Sequence, residues 1–238
     1  MSRVLPILFN TDMVLAILDG RKTVTRRKIP IDIVNYCDID TDGTLLSYEN
    51  DCGDFIEPKK LCQYQPGDTM YVRETWRVGA WDIRNQMIAF DYKDGTCGEL
   101  IYIHDRELFE RLVNQSREDA RKAKCEYNGV DFIWEKGKSP CRWHPSIHMP
   151  KKADRIFLKV KDVRVERLQE ITAEDALAEG AERYIHLDGS LDESGTLTSF
   201  IGIWNSTIKK SDLDRYGWDA SPWVWVIEFE RYEKPENM

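Results

Sequence analysis

The sequence has no long apolar run, few glycines and prolines, and no surplus of positive charge. No stretch approaches the roughly 20 consecutive apolar residues that a membrane-spanning helix needs. The apolar run after Met1 is too short for a signal peptide, so we expect a cytoplasmic protein without a membrane partner. With 14 glycines and 9 prolines among 238 residues, the composition also argues against a fibrous or disordered class.

Closely paired cysteines are also lacking. Six cysteines are spread along the chain, and we interpret them as free thiols in a reducing compartment: Cys37, Cys52, Cys62, Cys97, Cys125 and Cys141. The formal net charge of −8 argues against a protein that coats long stretches of DNA. Five cations nevertheless fall within eight residues: Arg21, Lys22, Arg26, Arg27 and Lys28. This local patch suits a small polar or anionic ligand, or a short nucleic-acid segment.

The apolar periodicity predicts an α+β protein with a compact barrel. Alternating β-branched and aromatic residues predict strands that share one curved sheet at 4–9, 69–76, 155–168 and 222–231. Capping residues and terminal glycines predict helices at 11–19 and 172–179. The parity of the apolar residues changes between Val160 and Val163, which predicts a bulge or a turn there.

We expect one domain over residues 1–238, with two insertions. The first, at about 30–65, is irregular and rich in Asp, Gly and Asn. The second, at about 77–150, contains an apolar strand near 87–90 and a charged helix near 105–123.

The basic segment holds the sharpest chemical pattern. Lys22 lies among arginines, and like charges lower the pKa of a lysine. Thr25 provides a hydroxyl, so the two side chains could act as base and nucleophile, or could read the polar edge of a base. The alternative is a solvated basic loop. In a regular strand the two side chains face opposite sides, so they share a pocket only if the chain bends near Gly20.

Two other groups of residues are candidates. Glu179 ends a predicted helix, where the helix dipole disfavours a carboxylate, so it is either exposed or held there for acid–base chemistry. Arg73, Glu74 and Trp76 follow a turn at 66–68. An arginine near a tryptophan can stack on and hydrogen-bond to a base, whereas the alternative is an ion pair beside a core indole.

No cofactor or metal is expected. Phosphate-binding loops and dinucleotide-binding glycine motifs do not occur in the sequence. Cys125, Cys141, His144 and His148 have a spacing that fits no common zinc site.

Taken in order, these motifs resemble the ASCH-domain proteins of bacteriophages and prophages. The resemblance is carried by segments 20–27, 66–68 with 72–76, 146–150, 155–168, 174–180 and 223–229. Each motif alone is weak, but the ordered combination is specific and spans the chain apart from 30–60, 80–140 and 183–197.

The resemblance implies a small PUA-like β-barrel with flanking helices, and a role with RNA or modified nucleosides. Some small ASCH proteins are amidohydrolases that remove the acetyl group from N4-acetylcytidine, using a lysine, a threonine and a glutamate. The matching positions here are Lys22, Thr25 and Glu179, and the family's following arginine matches Arg27. The sequence departs from the family at Arg26, where an apolar residue is usual.

Three functions remain open on this basis. The first is binding of a base or nucleoside, with RNA favoured, beside segment 20–27. Its contact residues would be Arg21, Arg26, Arg27, Arg73, Glu74 and Trp76. The second is amide hydrolysis, in which Thr25 attacks a carbonyl, Lys22 accepts its proton and Glu179 passes a proton to the leaving amine. The third is a phage accessory or morphogenetic scaffold without catalysis.

Overall fold

The computed structural model describes residues 2–35, 37–39, 45–49 and 55–234. Within these ranges the chain is a mixed α+β protein, which confirms the predicted class. The described strands form four sheets, and none of these closes into a barrel. Of the helices in the same ranges, none combines the length and the apolar character that crossing a bilayer requires.

The strands are β1 (Val4–Leu8), β2 (Val24–Lys28), β3 (Cys37–Ile39), β4 (Leu45–Glu49), β5 (Phe55–Ile56), β6 (Thr69–Arg73), β7 (Trp76–Asp82), β8 (Met87–Tyr92), β9 (Ile101–Tyr102), β10 (Glu126–Tyr127), β11 (Phe132–Ile133), β12 (Phe157–Arg167) and β13 (Trp223–Tyr232). The α-helices are α1 (Thr11–Leu18), α2 (Ile31–Asn35), α3 (Arg106–Lys122), α4 (Ala173–Ala178), α5 (Glu193–Thr207) and α6 (Leu213–Tyr216).

The largest sheet has five strands in the order β1-β6-β12-β13-β2. It contains all four strands predicted to share a sheet, so that prediction is confirmed, and it adds β2 from the basic segment. The smaller sheets have the orders β3-β4-β5, β7-β8-β9 and β10-β11. The predicted irregularity is a bulge between Val160 and Asp162 inside the single strand β12, not a turn between two strands.

The chain divides into two compact units. The first comprises Met1–Leu5, Ala16–Met70 and Phe157–Met238, and the second comprises Pro6–Leu15 and Tyr71–Ile156. The predicted insertion at about 30–65 falls in the first unit, and the one at about 77–150 falls in the second. Cys52, which we interpret from the sequence as a free thiol, lies outside the described residues.

Each unit has an apolar cluster of its own. The buried members in the first unit are Val24, Leu168, Ile171, Ala176, Ala181, Phe200, Trp204, Val224 and Val226. Those in the second unit are Trp76, Val78, Ile88, Phe90, Tyr92, Ile103, Phe109, Leu112, Val113, Cys141, Met149 and Ala153. Burying one large apolar side chain contributes about 1.5–3 kcal/mol, so each cluster can stabilise its own unit.

The two faces of β2 and β13 have different surroundings. Directly paired residues of antiparallel strands lie on one face, and Val226 pairs with Arg26. Val226 belongs to the cluster formed with α4 and α5, so we call this side the helical face. Thr25 pairs with Ile227 and therefore lies on the opposite face.

Gly180 offers a test of this packing. Its φ is +90°, and an added Cβ would lie 3.0 Å from the Cβ of Ala16 and 3.5 Å from that of Lys22. We expect Gly180→Ala to lower the free energy of unfolding by about 2 kcal/mol or more, because backbone strain and crowding add. Gly189 is the matched control, since its φ is +84° but no atom lies within 4 Å. Gly189→Ala should cost only about 1 kcal/mol. Urea denaturation measures both, and equal losses would contradict the packing argument.

Candidate functional site

The chain bends between α1 and β2, as a shared pocket for Lys22 and Thr25 requires. Gly20 adopts a left-handed conformation with φ +74°. After it, the backbone amides of Arg21 and Lys22 both donate to the carbonyl of Ala16, over 2.8 Å and 3.0 Å. The helix end is thereby closed, and Lys22 leaves it before the regular strand begins.

The Lys22 ammonium is enclosed by acceptors. The residue is 3% exposed, and Nζ donates to the Val24 carbonyl over 2.7 Å, to the Glu179 carbonyl over 2.8 Å and to Glu179 Oε2 over 2.6 Å. An ammonium has three hydrogens, so each has an acceptor. The Val24 carbonyl belongs to the peptide bond that joins Val24 to Thr25. Lys22 therefore lies beside the backbone of Thr25.

Burial lowers the pKa of Lys22, and the Glu179 carboxylate opposes this shift. Arg27 and Arg26 lower the pKa further, but they rank behind burial. The pKa is therefore lowered, as the sequence predicts, but the main cause is burial and not the neighbouring arginines. The deprotonated amine is therefore easier to reach here than in an exposed lysine.

Glu179 is the C-terminal cap of α4 and is 5% exposed. The helix dipole disfavours a carboxylate at this end, but two cationic side chains stabilise it. Oε2 accepts from Lys22, and Oε1 lies 3.4 Å from a guanidinium nitrogen of Arg26. The Lys22 ammonium also binds the backbone carbonyl of Glu179, which places positive charge at the end where the helix dipole favours it.

Arg26 lies on the helical face with a side chain that is 0% exposed. Besides Glu179, its guanidinium pairs with Glu166 at 3.2 Å and with Asp175 at 3.3 Å. Arg164 pairs with the same two carboxylates. We call this set the ion cluster: Lys22, Arg26, Arg164, Glu166, Asp175 and Glu179. It joins β2, β12 and α4, so Arg26 is a structural partner of carboxylates in this arrangement.

Thr25 lies on the opposite face and is 3% exposed. Among the described residues, none is hydrogen-bonded to its hydroxyl, and the hydroxyl oxygen is not one of the fully buried polar atoms that lack a partner. Arg27 lies on the same face, paired across the strands with Trp225. Burial lowers the pKa of Arg27, while Tyr64, Glu179 and Cys62 oppose that shift as its electrostatic neighbours. This face therefore presents a hydroxyl and a guanidinium within apolar surroundings.

Cys62 is a neutral member of these surroundings. The residue is buried, and burial raises the pKa of its thiol to about 11, although Arg3 and Arg27 lower it. At neutral pH the thiol is protonated, so Arg27 gains no anionic partner from it.

The other predicted contact residues are placed differently. Arg21 is exposed and pairs with Asp19 at 3.1 Å. Arg73, Glu74 and Trp76 belong to the second unit, where Arg73 donates to two backbone carbonyls of segment 147–149.

Glu74 and Trp76 are buried within that unit. The Glu74 carboxylate accepts two hydrogen bonds from Arg155, each 2.8 Å long. Burial raises the pKa of Glu74, and Arg155 opposes this. The Trp76 ring stacks on His144 at 4.5 Å, with 20° between the planes. The ion pair and core indole that we considered as the alternative are therefore what the structure contains.

Sequence reasoning missed Glu166, Arg164 and the role of Asp175. Glu166 and Arg164 alternate along β12 with the parity of the helical face, which was the available signal. Asp175 lies in the first turn of α4, where its amide donates to the Thr172 hydroxyl over 3.1 Å and its carboxylate pairs with Arg26.

Metal-ligating side chains do not cluster in the described ranges, where no group of three or more His, Cys, Asp or Glu could hold an ion. Cys141 lies against the carbonyl of Ser116, and His144 contacts the indole of Trp76.

Arg26 and Arg21 provide a matched test of the ion cluster. Arg26→Met removes the buried guanidinium that three carboxylates share. We therefore expect the free energy of unfolding to fall by about 3–5 kcal/mol. Arg21→Met removes one exposed ion pair and should cost less than about 1 kcal/mol. Urea titration at pH 7 measures both, and similar losses for the two variants would contradict the structural role of Arg26.

In comparisons with known proteins, no family model, no curated protein and no solved structure matches this chain.

Proposed function

We propose that this chain is a PUA-like protein of the ASCH type that binds a nucleoside or a nucleic-acid base beside segment 20–27. The observation that carries the proposal is the Thr25 hydroxyl, which belongs to a residue that is 3% exposed and has no hydrogen-bond partner among the described residues. A ligand that reaches this hydroxyl gains a hydrogen bond, which contributes roughly 0.5–1.5 kcal/mol.

Arg27 supports the same ligand class. Its guanidinium is planar and offers several N–H donors, which match the ring nitrogens and carbonyl oxygens of a base. Partial burial strengthens such hydrogen bonds because little water competes for them. The paired Trp225 adds an aromatic ring on this face, although its indole nitrogen donates to the Pro58 carbonyl over 2.9 Å.

The ion cluster has a supporting role in this proposal. Lys22 pairs with Glu179 and binds the Val24 carbonyl, so it fixes the backbone of β2 next to Thr25. Arg26 pairs with carboxylates of β12 and α4 and so holds β2 against both. Arg21 is exposed and is the cation that suits a phosphate group of a nucleotide. We therefore assign base recognition to Thr25 and, of the predicted contact residues, to Arg27.

Thr25 variants test the binding proposal. We expect Thr25→Val to weaken the binding of cytidine or N4-acetylcytidine by about tenfold, since one hydrogen bond contributes roughly 0.5–1.5 kcal/mol. Thr25→Ser keeps the hydroxyl and should stay within about threefold of the wild type. Isothermal titration calorimetry measures these affinities.

The control is Thr198→Val, which removes an exposed hydroxyl of α5 that donates to the Ser194 carbonyl. It should leave binding unchanged. Equal affinities for all three variants would contradict the assignment to Thr25, and failure of the wild type to bind any nucleoside would favour the scaffold hypothesis.

Amide hydrolysis is the second candidate, and the buried Lys22–Glu179 pair beside the Thr25 backbone favours it. In this reaction Thr25 Oγ bonds to the acyl carbon while its proton passes to the deprotonated amine of Lys22. The C–N bond then breaks while this proton moves from Lys22 through the Glu179 carboxylate to the leaving amine. Water next hydrolyses the acyl ester, which releases the carboxylic acid and restores the Thr25 hydroxyl. The lowered pKa of Lys22 favours the amine form that the first step needs.

Lys22→Met separates the two candidates. If the protein is catalytic, the variant should release cytidine from N4-acetylcytidine at least about 100-fold more slowly, because general-base catalysis contributes about 10²–10⁴-fold. Thr25→Ser should retain turnover and Thr25→Val should lose it. Liquid chromatography measures the cytidine released, with Thr198→Val as control. Wild-type binding without turnover would exclude hydrolysis of this substrate and leave the binding proposal standing.

A further inference from the structure

A separate cavity lies within the second unit, with a volume of about 250 Å³. Five of the residues that line it have no side chain beyond Cβ: Gly79, Ala80, Ala89, Gly98 and Gly137. These residues contribute only backbone and methyl groups, and Trp134 adds an aromatic ring on which a flat ligand can stack. The volume lies below the roughly 300–1,000 Å³ of sites for larger ligands, so one ring system is the appropriate size.

Asp91 is the polar group of this cavity. It lines the wall, is 4% exposed, and its Oδ2 atom has no hydrogen-bond partner among the described residues. Arg77 Nε lies 3.4 Å from Oδ2, yet that nitrogen also makes no hydrogen bond. The other guanidinium nitrogens of Arg77 donate to the carbonyls of Ser139 and Gly137. The carboxylate therefore lies beside one cation and bonds to the Cys97 thiol, while its Oδ2 atom can still accept a hydrogen bond.

The backbone is shaped to admit this carboxylate. β7 has a bulge between Val78 and Ala80, at Gly79. A Cβ on Gly79 would lie 2.2 Å from Asp91 Oδ1, so no other residue fits there without moving the carboxylate. The Trp134 indole donates to the Gly79 carbonyl over 2.7 Å, which fixes an aromatic ring on the cavity wall.

The charges on the lining and directly beside it cancel. Arg77 balances Asp91, and Lys136 pairs with Glu99 at 2.9 Å. The Cys97 thiol, whose pKa is raised by burial and by Asp91, adds no charge at neutral pH. A charged ligand would therefore gain no opposite charge from these groups.

We propose that this cavity binds a neutral, planar heterocycle of single-nucleobase size that donates an N–H hydrogen bond to Asp91. The proposal rests on residues of the second unit alone and is independent of the function proposed for Thr25.

The test titrates isotope-labelled full-length protein with uracil, which is neutral and planar and carries ring N–H groups. We expect shifts of the amide signals of Gly79 and Gly98 and of the indole signal of Trp134. The compound 1,3-dimethyluracil keeps the ring but lacks N–H donors, so it should bind at least about tenfold more weakly. Asp91→Asn should reduce uracil binding by a similar factor, whereas Thr25→Val should leave these signals unchanged.

Other results would overturn the proposal. Equal binding of uracil and 1,3-dimethyluracil would exclude an N–H contact, and this comparison needs only the wild-type protein if Asp91→Asn does not fold. Saturating uracil without shifts at Gly79, Gly98 and Trp134 would exclude the site itself. Shifts confined to Thr25 and Gly180 would assign the ligand to the first unit and contradict this inference while supporting the other proposal.

Discussion

The contact between Lys22 and Glu179 is the interaction on which the first unit's site depends. It joins side chains 157 positions apart, and both are buried. Removing a charge from water costs several kcal/mol, so such a pair persists only when its remaining hydrogen-bonding groups are satisfied. Here the carbonyls of Val24 and Glu179 accept the other two hydrogen bonds of the Lys22 ammonium. Arg26 pairs with the second oxygen of the Glu179 carboxylate. β2 is thereby fixed at its first residue.

Much of the fold could be predicted because its signals are local. Alternating apolar residues identified β1, β6, β12 and β13, and the glycines after α1 and α4 marked the helix ends. The strand β2 was not predicted as part of that sheet. Its sequence, Val-Thr-Arg-Arg-Lys, has little apolar alternation, and only pairing with β13 makes it a strand. That partner lies almost 200 residues further along the chain, where local patterns carry no information.

The site was harder to predict than the fold. The meeting of Lys22 and Glu179 came from the resemblance to a family, since neither residue's surroundings in the sequence point to the other. Arg26 was expected to face a ligand, but its nearest charges come from β12 and α4, and periodicity does not reveal such pairings. Glu74 shows the same difficulty, because a glutamate on an alternating strand can be exposed or can pair with a distant arginine such as Arg155.

The late arrival of β13 has a consequence for the growing chain. β13 leaves the ribosome roughly 10–40 s after β2, at about 5–20 residues per second. An apolar strand left unpaired for that time would invite aggregation. We expect the charges of Arg26, Arg27 and Lys28 to keep the unpaired β2 hydrated and to make copies of it repel one another. The same cations would then serve both the nascent chain and the folded structure.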